Sequence, residues 1–497
     1  MKRISHYSQQ RLPTQLITIA VAFLMASVAG ADENRVSFKS DVAPIFLENC
    51  VACHDAKKAE GGYRIDTFTE LSKPGDSGAM PLEVRKDEHA ELVRRLTVED
   101  PFERMPAETE ALTADQIKVV SDWIEQGAVF DGEDPDARLP FVIPPTEHPA
   151  APAIYPGPLQ VTALAFSTES DLVYSGGYNE ILIWDTQGNL LDRIGNVGQQ
   201  TYAIAFPPLS DSVPAKGGGN GDSSASKTAV DRQVVVASGR PGFAGDVRVI
   251  DLVSQQVTAV LAPCDDVILD LAFRPDGKKL AVASADKTIR IIDMETLMVQ
   301  QTLLSHADFV TAIAWSKDGT KLVSASRDKS AKVFNAETGQ LLISYQGHGN
   351  AVRGVFMLPD GKQVVSTGND KKVHRWNVSD AKKTAEVAIG GEGYRIAVAG
   401  DFALVPSSDK KLVKVDLTKN QVATEFKGHA DWVLCSAVHA NDAKVATGSH
   451  DGEIRVWNLA DGTLISAWLA RPTGSEEAEA SDTKTDADKI GNAKTSP

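Results

Sequence analysis

Residues 321–335 read Lys321-Leu322-Val323-Ser324-Ala325-Ser326-Arg327-Asp328-Lys329-Ser330-Ala331-Lys332-Val333-Phe334-Asn335. Lys321 to Ser326 alternate as a half-buried strand does, Asp328 punctuates the chain, and Ser330 to Asn335 resume a strand. The same unit returns at 288–293, 372–377 and 453–458, each behind an aspartate at 286, 370 and 451, and Asp409 precedes a further copy at 412–416. From Asp286 the steps between these aspartates are 42, 42, 39 and 42 residues. Upstream of the quoted stretch, Val310 to Trp315 read as another strand and Lys317-Asp318-Gly319 as a turn. Short strands in fours with turn signals between them, repeating at this period, predict a β-propeller. Seven units can be marked, at 159–194, 195–261, 262–303, 304–346, 347–389, 390–427 and 428–470. Seven closes a ring without open sheet edges. The sixth carries no turn signature between its first strands. The second holds an insertion at 207–232 rich in Gly, Ser and Lys, predicted to be a disordered loop. Its Gly217-Gly218-Gly219 lacks the following Gly-Lys-Ser/Thr of a phosphate cradle.

These units resemble WD40 repeats. Gly347-His348 and Gly428-His429 stand at unit openings, His306 holds the same place without its glycine, and Trp184-Asp185 is a literal Trp-Asp pair. The resemblance implies a hydrogen-bond network joining an opening His, a strand Ser or Thr, the turn Asp and a third-strand Trp. The matching positions are His348, Thr367, Asp370 and Trp376, then His429, Thr447, Asp451 and Trp457. These are architectural groups, and the two histidines are expected to be satisfied there rather than to bind metal. The resemblance also implies a platform that holds a protein partner on one rim of the ring.

Ahead of the repeats stands Cys50-Val51-Ala52-Cys53-His54, the C-x-x-C-H pattern of covalent c-type haem attachment. The thiols would form thioethers with the haem, and His54 would be the proximal iron ligand. A zinc site needs a second ligand pair, which is not nearby, and a redox dithiol needs a βαβ context, which is absent. Residues 36–130 read as a small helical domain. A helix capped by Ser40, with Pro44 in its first turn, runs toward Cys50. A second is expected from His89 to Leu96. A third follows the capping box at Thr113 to Gln116, with Leu112 and Ile117 as its hydrophobic staple and Gly127 as its stop. For the sixth iron position the candidates are Met105, then Met80, then His89.

Residues 38–130 resemble the planctomycete-type cytochrome c domain. The matching pieces are 38–54, 60–66, 75–78, 92–96 and the run from Arg104-Met105-Pro106 to Ala128. The resemblance implies that Cys50 and Cys53 bind a single covalent haem c and that His54 ligates its iron. The family's Met-Pro-Pro segment falls on Met105-Pro106-Ala107, which sets Met105 ahead of Met80; Ala107 departs from the second proline. The expected chain is therefore multidomain, a small all-α cytochrome c-like domain followed by an all-β seven-bladed WD40 propeller.

The flanks fit this reading. Lys2, Arg3 and Arg11, an apolar run from Leu16 to Val28 and Ala29-Gly30-Ala31 read as a secretory signal at 1–31, so the protein is expected to be exported to a periplasm or cell envelope. A membrane hold is expected only if that segment stays uncleaved. Residues 131–158 are Pro-rich and read as a stiff linker, in which 139–143 could add an outer strand to the last blade. The tail at 471–497 is acidic and expected to be disordered. The net charge of −16 argues against a nucleic-acid partner. Cys264 and Cys435 read as isolated thiols. No catalytic residue is assigned. The expected function is single-electron transfer with a redox partner protein. The alternatives are a haem-dependent oxidoreductase with substrate on the propeller face, or a structural interaction protein.

Overall fold

The computed structural model describes residues 35–84, 89–100, 102–107, 110–167, 170–208, 232–439 and 443–472. The expected signal at 1–31, the insertion from 209 to 231 and the tail from 473 lie outside the described residues. The chain forms two compact units that divide between Ile143 and Pro144.

The smaller unit is helical. A π-helical turn, Phe38–Val42, leads into α1, Ala43–Asn49, with Pro44 in the first turn where its missing N–H costs nothing. Then come α2 (Phe68–Leu71), α3 (Glu91–Thr97), α4 (Ala114–Glu125) and α5 (Leu139–Val142). The cap of the first turn is Ser37 rather than Ser40. The chain begins to wind earlier than expected, and the Ser40 amide donates to Ser37 Oγ at 3.1 Å. His89 precedes α3 and is exposed. The capping box of α4 closes both ways, Gln116 N to Thr113 Oγ1 at 3.2 Å and Thr113 N to Gln116 Oε1 at 2.9 Å. That fixes the register which buries Val120, Trp123 and Ile124. Trp123 meets Phe38 at 5.2 Å and Phe46 at 6.3 Å, and Phe68 packs on Phe130 at 4.8 Å, so aromatic rings from four segments make the core.

Residues 139–143 do not form the outer strand entertained from sequence. Leu139 is fully buried in the helical unit, its amide donates to Asp66 O at 3.0 Å, and Pro140 occupies an early helical position. The second half of the Pro-rich stretch belongs to the other unit. Tyr155 is buried there, and Arg193 donates to the carbonyls of Pro152 and Ala153.

The larger unit is a propeller of seven four-stranded antiparallel sheets, at 164–194, 200–264, 268–303, 310–345, 352–388, 397–427 and 433–469. Every sheet uses sequence-consecutive strands. In the sixth blade the first strand is only Ala397–Ala399, and Gly400, at φ +54°, makes the turn that lacked a signature. Cores form between blades: Ala281 and Ile291 of the third pack with Ile313, Trp315 and Leu322 of the fourth.

The internal network differs from expectation by one residue in the fifth blade. His348 Nε2 meets Ser366 Oγ at 2.8 Å, Trp376 Nε1 donates to the same oxygen at 3.1 Å, and His348 Nδ1 meets Asp370 at 2.8 Å. Thr367, the expected member, sits on the opposite face of its strand and donates to Lys372 O. In the seventh blade His429 and Trp457 share Thr447 as expected, but His429 Nδ1 lies 3.1 Å from Glu453, not beside Asp451. Cys264 and Cys435 are unbridged. No helix among the described residues is long and apolar enough to cross a membrane.

Candidate haem site

The 50–54 pentapeptide leaves α1 directly. Cys50 N donates to Phe46 O at 2.9 Å, and the amides of Cys53 and His54 donate to Cys50 O at 3.2 and 3.1 Å. This tight turn brings Cys50 and His54 to the wall of a cavity of about 430 Å³, also lined by Tyr63, Ile65, Pro81, Leu92, Leu96 and Met105. Glycines build another wall. Asp76 N donates to Gly61 O at 2.8 Å, and a Cβ on Gly75 would fall 2.6 Å from that same oxygen. At Gly62, φ is +66° and a Cβ would collide with Asp76. The Gly-rich stretches at 60–63 and 75–78 are therefore read as close backbone packing beside the cavity.

His54 Nδ1 donates to Tyr63 O at 3.1 Å, and the Tyr63 ring meets the imidazole edge-on at 5.6 Å. A carbonyl can only accept, so the neutral ring keeps its lone pair on Nε2, the state that ligates a metal. Tyr63 in turn donates its hydroxyl to Leu71 O at 3.0 Å, and burial raises the phenol's pKa so that it stays protonated. Burial, reinforced by Cys53, pushes the Cys50 thiol up to about 12. Cys53 is half-buried and outside the lining. Met105 is tied to α3 by its amide, which donates to Arg95 O at 2.8 Å. Met80 is 41% exposed and, like His89, outside the lining. The fold thus brings Cys50, His54 and Met105 to one cavity and leaves Met80 and His89 off it. An imidazole lone pair, a thioether and a half-buried thiol around largely apolar walls fit a haem.

Glu91 and Arg95 also line this cavity and were not singled out from sequence, although their i, i+4 spacing was readable. Arg94 and then Arg95 hydrogen-bond Glu91 and lower its carboxyl from 4.5 to about 2. Because the folded value is the depressed one, this stabilisation is present above pH 4.5 and is lost as the pH falls toward 2. Glu91→Gln is expected to remove about 1 kcal/mol from the helical unit at neutral pH. It should also flatten the acid limb of its stability curve in a denaturation series from pH 7 to 2.

Fold and site together define a small helical unit with a haem-type cavity joined to a seven-bladed propeller. Comparison with known proteins bears this out: residues 50–108 match the family profile described as Planctomycete cytochrome C. Residues 153–185, 298–335, 339–377 and 420–458 match the WD domain, G-beta repeat, and 244–308 match the anaphase-promoting complex subunit 4 WD40 domain. The helical unit is thus similar over 50–108 to a planctomycete-type cytochrome c, and the seven-bladed ring is similar in the matched segments to WD40 repeats. Among curated proteins it is similar to rat apoptotic protease-activating factor 1, 45% identical over 56 residues, 11% of this chain and 4% of that protein. It is also similar to mouse WD repeat and HMG-box DNA-binding protein 1, 34% identical over 82 residues, 16% of this chain and 7% of that one. A third relative is nuclear distribution protein PAC1 of Candida tropicalis, 36% identical over 56 residues, 11% of each. The chain thus spans a small part of the length of these relatives.

Proposed function

We propose that this protein is an exported c-type cytochrome that passes single electrons through one covalent haem, and that its propeller docks a protein redox partner. The observation that carries the reading is the convergence of Cys50, His54 and Met105 on one cavity. Bound there, a haem supplies a one-electron iron couple. Cys50 and Cys53 would hold its edge as thioethers. His54, its tautomer set by the Tyr63 carbonyl, would ligate the iron. Met105, held against α3, would be a second ligand, and its thioether would favour the ferrous state. Ile65, Leu92 and Leu96 would give the group apolar walls. The leader-like sequence at 1–31 supports export, where c-type attachment takes place. WD40 propellers generally serve protein–protein contacts, which supports a protein partner for this ring.

Optical spectra of the oxidised and reduced protein test the ligation. The wild type should be low-spin and six-coordinate with a sulfur ligand. Met105→Ala should become high-spin and bind small ligands while keeping its covalent haem. A high-spin wild type would sink the electron-carrier reading.

A further inference from the structure

Four blades place a cation at one recurring position, the third residue before the end of the third strand: Arg248, Arg290, Lys332 and Arg455. The three arginines neutralise a nearby carboxylate, Arg248 that of Asp246 at 2.8 Å, Arg290 that of Asp286 at 2.7 Å, and Arg455 that of Glu453 at 2.7 Å. In the fifth blade this position is His374. The residue is 1% exposed, and its Nε2 and Asp370 Oδ1 are both buried without a hydrogen-bond partner. Nε2 lies 3.3 Å from Glu386 Oε2 and 4.0 Å from Asp370 Oδ2. Two ligands at a tetrahedral angle around zinc are about 3.4 Å apart, which the Glu386 separation matches, and the ligand atoms of His348, Asp370 and His374 all lie within 4.8 Å of one another.

We infer that the fifth blade carries a divalent transition-metal site, zinc by its ligand chemistry, formed by His374 Nε2 and the carboxylates of Asp370 and Glu386. The surroundings orient each ligand. Tyr345 Oη lies 2.8 Å from His374 Nδ1 and can accept as well as donate, so the tautomer with its proton on Nδ1 keeps that bond and has its lone pair on Nε2. His348 stacks on His374 at 4.0 Å and spends both of its own nitrogens, on Asp370 and Ser366, so it positions the carboxylate and is not a ligand. Glu386 is one-third exposed and gives the ion its entry and a position for water. Lys372 and Lys383 neutralise Glu386 without the ion. Their side chains are 42% and 41% exposed, so water can solvate them in place of the carboxylate.

The test titrates the haem-loaded full chain with Zn²⁺ alone, by calorimetry and thermal unfolding, in wild type, His374→Arg and Glu386→Gln. His374→Arg installs the residue that other blades carry, so the ring is expected to fold. Wild type should bind one more Zn²⁺ than His374→Arg, its propeller transition should rise with Zn²⁺, and Glu386→Gln should bind tenfold or more weakly. Zinc taken by Cys50, Cys53 or His54 in any haem-free fraction would be equal in all three proteins and cancels in the comparison. Equal binding by wild type and His374→Arg, or a wild-type propeller transition that ignores Zn²⁺, overturns the assignment.

Discussion

Replacing Cys50 and Cys53 together by alanine is expected to give a full-length chain with no attached haem, a helical unit without a cooperative melting transition, and an unchanged propeller transition. The helical unit has little else to stand on. Its helices are 7, 4, 7, 12 and 4 residues long. Helices shorter than ~12–15 residues are marginal on their own, so packing must hold these. Packing is weakest where the cavity of about 430 Å³ lies. At ~24 cal/mol per Å³ an unfilled apolar space of that size would cost on the order of 10 kcal/mol. This cavity is partly polar and open to water, so only a fraction applies. A third of it, about 3 kcal/mol, would still be more than half of the ~5 kcal/mol at the lower end of small-domain stability. The aromatic cluster around Trp123 lies elsewhere in the unit and does not line the cavity. Haem staining after denaturing electrophoresis reads the attachment, and calorimetry reads the two transitions separately. A double variant that keeps both transitions would show that the helical unit is self-sufficient and would remove the cavity argument.

What was legible in the sequence follows from how local each signal is. The seven blades could be marked because every blade is built from consecutive strands, so period and turn chemistry carry the topology directly. The α4 cap was legible for the same reason, since Thr113 and Gln116 satisfy each other within a single turn. The errors sit where a one-residue step reverses a side chain. Ser366 and Thr367 are both small hydroxyl residues, and only strand register decides which of them meets His348. Leu139 to Val142 read as apolar and extended, but docking against Asp66 turned the segment into a helical turn. In the haem unit the pentapeptide is a local pattern. The choice of Met105 over Met80 is not, because both methionines precede a proline. The cavity separates them through the Arg95 carbonyl that holds the Met105 backbone, a contact invisible in composition or spacing. His374 was passed over because the repeat was read for what its copies share, and the proposed metal site lies in what one copy does differently.

Tyr155→Ala is expected to destabilise the propeller by about 3–5 kcal/mol, on the scale of other large aromatic-to-alanine losses. Tyr155→Phe should cost only about 1–2 kcal/mol. The difference would identify how the ring closes. Six of the seven junctions between blades are crossed by the chain as it passes from one sheet to the next. The junction between the last blade and the first has no such crossing, and no strand is exchanged across it. It is held by side chains and by the segment that enters the first blade. Tyr155 is 4% exposed in a cluster that joins Val173, Leu182 and Trp184 of the first blade to Cys435, Ala446 and Ile454 of the last. Its hydroxyl donates to Glu180 Oε1 at 2.6 Å and accepts from Tyr178 N at 2.7 Å. Glu180, nearly buried, is gripped in turn by Arg193 at 2.7 Å. Six residues on, Val161 N donates to Ser449 O at 3.1 Å, and Cys435 Sγ donates to Val161 O at 3.2 Å. Both changes leave a buried carboxylate short of one donor, and alanine also removes the ring from the cluster. Because the seam has no covalent crossing, its opening should precede global unfolding. Hydrogen exchange in Tyr155→Ala should therefore accelerate first at Val161 and at the amides of 433–438. If those amides keep wild-type protection while stability falls, closure rests on the direct contacts between blades, such as Ser466 Oγ to Thr186 O at 2.6 Å, and the entering segment is only a lid on them.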